Sequence, residues 1–188
     1  MIEIYTDGSS SKGHGEGPGG YGAIMFLDGD FIAATRGGWL CTTNNQMEMM
    51  GLVAALKMLP VVDLPYCKKH GYDPCECLYQ KLVSRPVYED VVIKSDSKYV
   101  VQGSTTWVHS WKMNNWKTYQ KKPVKNRDIW EKIDKLMLTR VPEVKWGKGH
   151  AGIYGNELAD RLAYSAKQKV KSLQQNFEEE VLELPKLP

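Results

Sequence analysis

The chain has 188 residues, 42% of them hydrophobic and 25% charged, with a formal net charge of +3. That length suits one domain with its own core and is short for two, and the composition is that of neither a disordered nor a fibrous chain. No apolar run approaches the ~18–20 residues of a membrane span, and the N-terminus lacks a basic segment followed by an apolar stretch, so a soluble, cytoplasmic and monomeric protein is expected.

Residues 2–7 alternate, with Ile2, Ile4 and Thr6 on one face and Glu3, Tyr5 and Asp7 on the other, which is a strand pattern. A loop with seven glycines between Gly8 and Gly22 follows. It has no Gly-Lys-Ser/Thr ending, so it is not a triphosphate-binding loop; its glycines are expected to make a turn or to let the backbone approach a ligand. Residues 21–27 and 31–38 read as two more strands joined by the turn Asp28-Gly29-Asp30. Residues 45–59 read as a helix capped by Thr43 or Asn44. Glu48, Leu52, Ala55 and Leu59 recur at helical spacing, so an acid heads an otherwise apolar face. Dipole stabilisation of that acid is worth only about 0.3–1 kcal/mol, and a site at the sheet edge explains it better.

Pro60 ends this helix. Residues 61–90 are irregular, and residues 91–95 resume as a short apolar strand ending at Asp96. Helical segments are expected at 97–103, 107–114 and 126–138, a last strand at 141–146, a glycine-flanked loop at 147–155 and a helix from 156 to 169. The tail 170–188 turns acidic and is expected to lie outside the folded domain 1–169. The order βββαβ, helices, βα defines an α/β fold with one mixed sheet flanked by helices.

Asp7, Glu48, Asp96 and Asp160 thus sit at the ends or starts of separate elements. Each alone reads as a turn former or a surface acid. Brought together they would repel and raise one another's pKa unless a cation lay between them, and hard divalent cations favour oxygen ligands.

The motifs around them carry a resemblance. Tyr5-Thr6-Asp7-Gly8-Ser9, Gly17-Pro18-Gly19-Gly20-Tyr21-Gly22, Thr43-Asn44-Asn45-Gln46-Met47-Glu48, Ser95-Asp96-Ser97, Gln102-Gly103, Lys148-Gly149-His150-Ala151-Gly152 and Asn156-Glu157-Leu158-Ala159-Asp160 resemble type I ribonuclease H. The resemblance covers about residues 1–60 and 91–167. It implies a five-stranded mixed sheet and an endonuclease that hydrolyses the RNA strand of RNA–DNA hybrids, leaving 3′-hydroxyl and 5′-phosphate ends. It implies two magnesium ions, with manganese as a substitute. Asp7 would bridge them, Glu48 and Asp96 would complete one site, and Asp160 would complete the other. It further implies that His150 is a mobile auxiliary to proton transfer or product departure. Thr43 would hold a DNA phosphate, and Asn44, Asn45 and Gln102 would read the minor groove, where the 2′-hydroxyl distinguishes RNA.

Residues 97–127 contain no Asp or Glu but carry Lys98, Lys112, Lys117, Lys121, Lys122, Lys125 and Arg127, interleaved with Trp107, Trp111 and Trp116. A one-signed run laced with tryptophans reads as a phosphate-binding protrusion. The resemblance makes it a basic handle, with Lys112, Lys121 and Lys122 near the substrate. Trp107 is the candidate for nucleic-acid contact, and Trp111 and Trp116 for packing. Lys98 departs from the amide common at that place.

The stretch 61–90 matches nothing in the resemblance and reads as an insert. Within it, Cys67, His70, Cys75 and Cys77 offer the three thiolates and one imidazole of a structural zinc site, with spacing Cys-x2-His-x4-Cys-x-Cys. Two other classes fit the sequence less well. A non-catalytic hybrid-binding module would lack one of the acids, and none is missing. A DNA-directed nuclease of the same general fold would not need the Asn44, Asn45 and Gln102 set.

Overall fold

The computed structural model describes residues 1–11, 16–59, 91–140, 142–149 and 152–182. Chain order is β1 (Ile2–Ser10), β2 (Gly17–Leu27), β3 (Asp30–Thr42), α1 (Asn44–Met58), β4 (Val91–Ser95), α2 (Lys98–Gln102), a π-helical turn (Gly103–Trp107), α3 (Val108–Met113), α4 (Arg127–Arg140), β5 (Glu143–Trp146), α5 (Tyr154–Leu173) and β6 (Phe177–Leu182). The described strands form one mixed sheet of order β5-β4-β1-β2-β3-β6. β1, β2 and β3 form an antiparallel meander, while β4 and β5 run parallel to β1.

The sheet therefore has six strands rather than the expected five. β6 comes from the segment expected to be a tail. Leu182 supplies its apolar anchor and is buried opposite Ala34. Its glutamates do not repel it into solvent because cations from distant parts of the chain meet them. Arg36 Nε lies 3.0 Å and Lys169 Nζ 2.9 Å from Glu180, and Lys57 pairs with Glu179. Lys169 and Arg36 hold the Glu180 carboxyl below its ordinary range against the opposing effect of burial.

Each face of the sheet buries its own core. On one, α1 and α4 pack Met49, Leu52, Leu56, Trp130 and Ile133 over Ile4 and Ile93. On the other, α5 sets Leu158, Ala159 and Leu162 against Tyr5, Ile24 and Phe26. Glycines 17–22 are not a ligand loop. They lie in β2, where Gly19, Gly20 and Gly22 make room for helices. A Cβ on Gly20 would come within 2.4 Å of backbone atoms of Ala163 and Lys167, and one on Gly22 within 2.5 Å of Leu162 Cβ.

Candidate active site

β1 and β4 are adjacent and parallel, so Asp7 and Asp96 leave the same end of the sheet. α1 brings Glu48 to that end by crossing unusually close to β1. A Cβ on Gly8 would fall 2.1 Å from the Glu48 backbone nitrogen, so only glycine permits this approach. Thr43 fixes the start of α1 with a reciprocal capping box: its hydroxyl accepts from Gln46 N at 3.3 Å, and Gln46 Oε1 accepts from Thr43 N at 2.9 Å. Thr43 rather than Asn44 is thus the cap. Asn44 instead donates from Nδ2 to Glu48 Oε1 at 3.3 Å and accepts from Ser10 N at 3.2 Å.

Asp7, Glu48 and Asp96 each offer a carboxylate oxygen within 4.8 Å of the others. Asp160 reaches the same centre from the second turn of α5, close enough to help raise the Asp7 carboxyl. All four acids named from the sequence converge. Asp7 is 7% exposed and Glu48 is 8% exposed, and Glu48 Oε2 is buried with no hydrogen-bond partner among the described residues. Burial, followed by the charge of Asp96, raises the Asp7 carboxyl to about 7. Burial, followed by the charge of Asp7, raises Glu48 to about 9. A buried acceptor with nothing to accept from, in a cluster of like charges, is the environment a divalent cation satisfies.

The loop after β5 closes over Asp96. Gly147 N donates to Ser95 O at 3.0 Å, and Trp146 Nε1 donates to the Asp96 carbonyl at 2.9 Å. Gly149 lies so close that a Cβ there would stand 2.1 Å from Asp96 Oδ2. His150, the next residue, lies outside the described residues, as do Cys67, His70, Cys75 and Cys77.

Asn44, Asn45 and Gln102 are exposed at the starts or ends of their helices. The basic stretch 97–127 holds α2, the π-helical turn and α3, and its Val100, Val108 and Val124 are buried in the main core. Trp107 is half-buried, with its ring centroid 6.0 Å from Tyr99 and 5.9 Å from Trp111. Trp111 and Trp116 pack on the main core. Lys121 and Lys122 are exposed, with no ion-pair partner among the described residues. Lys112 differs: its ammonium lies 2.9 Å from Asp134, so part of its charge is already met within the protein. Lys98 stands over the Trp146 ring at 5.2 Å. α5 also places Lys167 against Ser9, two residues from Asp7: its ammonium donates to Ser9 Oγ at 2.6 Å.

A mixed sheet with acids converging from β1, α1, β4 and the final long helix defines a ribonuclease H-like fold with a carboxylate cluster that could hold a metal ion. The RNase H family model matches residues 1–70 and 74–168. Ribonuclease H of Treponema denticola is 43% identical over 171 residues, covering 90% of this chain and 98% of its own length. Ribonuclease HI of Vibrio cholerae is 40% identical over 166 residues, covering 88% of each. The chain belongs to the ribonuclease H family. The match includes most of residues 61–90, so it does not set that stretch apart as an insert.

Among solved structures, LC9-RNase H1, a type 1 RNase H with the type 2 active-site motif, is similar with a TM-score of 0.64 at 26% identity, covering 89% of this chain and 72% of its own. LC11-RNase H1 in complex with an RNA/DNA hybrid shares the fold with a TM-score of 0.56 at 22% identity, covering 91% and 99%.

Proposed function

We propose that this protein is an endonuclease that hydrolyses the RNA strand of RNA–DNA hybrids, leaving 3′-hydroxyl and 5′-phosphate ends. The observation that carries the reading is the convergence of Asp7, Glu48 and Asp96 within 4.8 Å beside Asp160, next to the exposed amides of α1 and α2. The family membership and the hybrid held by a related fold support it.

Asp7 stands at the centre of the cluster and would contribute to two cation sites, Glu48 and Asp96 completing one and Asp160 the other. Bound magnesium, or manganese in its place, would supply charge neutralisation at the scissile phosphate and a water of lowered pKa. The chain's own residues do the rest. Asn44 fixes one oxygen of Glu48 and leaves the other facing the cluster. Asn45 and Gln102 present amides that both donate and accept, as reading of a 2′-hydroxyl requires. Trp107, Lys121 and Lys122 hold the DNA strand along the protrusion, with Thr43 at a DNA phosphate and Lys112 in a lesser role. His150 assists proton transfer or product departure.

The reading is tested with an end-labelled hybrid in magnesium. Wild type should yield short RNA fragments whose 3′ ends a polymerase can extend. Asp7→Asn should yield none while still binding the hybrid. Intact RNA with wild type, or cutting by the variant, would overturn the assignment. Cys67, His70, Cys75 and Cys77 would hold one structural zinc, a proposal resting on the sequence alone.

A further inference from the structure

A cleft of about 1040 Å³ opens where the end of β1, the head of α1 and α5 meet. Its walls include Ser9 from the end of β1, Ser11 just after it, Lys167 and Lys171 from α5, and Thr43 and Asn44 at the head of α1. The protrusion's first segments contact α1 and β5, whereas α5 packs on β1, β2 and β3, so the two surfaces lie on different sides of the site.

The cleft continues the catalytic elements. On β1, Asp7 and Ser9 point to one face by strand alternation, and Ser11 follows just past the strand's end. On α5, Asp160, Tyr164, Lys167 and Lys171 are spaced by four, three and four residues, one stripe on the helix. A ~1.5 Å rise per residue puts the two lysines roughly 10 and 16 Å along the helix from Asp160. Lys167 donates to Ser9 Oγ at 2.6 Å and lies 4.8 Å from the centre of the Tyr164 ring, so its ammonium is held at the cleft wall. Lys171 is exposed with no ion-pair partner among the described residues. One acid, Glu16, also lines the cleft, but its carboxylate accepts from Cys41 Sγ at 2.9 Å.

We infer that this stripe is a second phosphate track, which holds the backbone of the hybrid several nucleotides from the scissile phosphate. The inference rests on the hybrid-cleaving function proposed above. Fixed cations and hydroxyls in a row, starting at the acid that meets the scissile phosphate, are what a continuing polyanion needs. At ~3.4 Å of rise per nucleotide, the lysines reach about three to five nucleotides from the cut. The track recognises phosphates and not bases, so it sets how much duplex beyond the cut is gripped and not which sequence is cut.

The test uses hybrids with four ribonucleotides in an otherwise DNA strand. The flanking duplex extends eight base pairs on both sides, or is trimmed to two on one side or the other. Binding is followed by fluorescence anisotropy in an Asp7→Asn background, with turnover measured in parallel in the active enzyme. Lys167→Gln/Lys171→Ala should weaken binding to the long hybrid about tenfold and lower the salt slope by about one per lysine. On the hybrid trimmed on the track side, parent and variant should converge. Lys171→Glu, at a fully solvated position, should show the same pattern without touching the Ser9 contact. Equal affinities for all three hybrids, or an equal loss by the variants on every hybrid, would overturn the track. Binding reads the track even if no strand is cut, so failure of the track and failure of the cleavage reading are told apart.

Discussion

Replacing Asp7 by Asn should stabilise the metal-free protein while destroying its activity. In the fold the Asp7 carboxyl is raised from 3.8 to about 7, first by burial and then by Asp96. The folded state therefore binds this proton more tightly than the unfolded chain does. The sign follows: stability is full below pH ~4, is lost as pH rises toward ~7, and stays low above it. At about 1.4 kcal/mol per pH unit, the rise corresponds to an upper bound of about 4 kcal/mol. Relaxation and sharing of repulsion with Glu48 reduce what one substitution recovers to ~1–2 kcal/mol. Asn keeps an oxygen to accept from Gly8 N, a bond of 2.7 Å in the native chain. For a domain of this size the gain is about 3–8 °C in Tm. The assay is thermal unfolding in EDTA at pH 5 and pH 8, then with magnesium. The variant should exceed wild type in EDTA, more at pH 8 than at pH 5, and magnesium should stabilise only wild type. A variant less stable than wild type at pH 8, or an advantage that does not grow with pH, would refute the electrostatic reasoning.

Two further outcomes follow from the geometry and one from the sequence. Gly149→Ala would push a methyl into the Asp96 carboxylate, so cleavage should fall at least tenfold while Tm changes by less than about 3 °C; full activity would show that the loop does not position Asp96. Truncation after Leu173 removes the buried Leu182 and the ion pairs of β6, which together are worth roughly 2–4 kcal/mol. Urea unfolding should register that loss, and an unchanged midpoint would make β6 an ornament of the sheet. Metal analysis of protein purified without added zinc should find about one equivalent, lost on replacing Cys75 and Cys77 by Ser; less than a tenth of an equivalent would remove the zinc proposal.

The carboxylates were visible in the sequence because each sits inside a local pattern with its own periodicity. Asp7 and Asp96 end alternating or apolar runs, Glu48 heads an apolar helical face, and Asp160 enters a long amphipathic helix. The chain order of the first five strands followed from the same patterns. β6 was not visible because its stability is non-local. Its glutamates look solvated until Arg36, Lys57 and Lys169, which the fold brings beside them, are known. Glycines 17–22 misled for a related reason. A glycine needed for close helix packing and a glycine needed for a turn look alike until α5 is laid across β2. The phosphate track on α5 hid in the same way, since Lys167 and Lys171 gain meaning only beside Ser9 and Ser11.

The central claim is that the carboxylate centre and the amides of α1 and α2 together cut RNA only when it is paired with DNA. Four labelled duplexes of one sequence test it: RNA–DNA, DNA–DNA and RNA–RNA, and RNA–DNA with its ribose 2′-hydroxyls methylated. With magnesium, only the unmodified hybrid should be cut, and only in its RNA strand. Equal cutting of all four, or cutting of the DNA strand, would contradict the account.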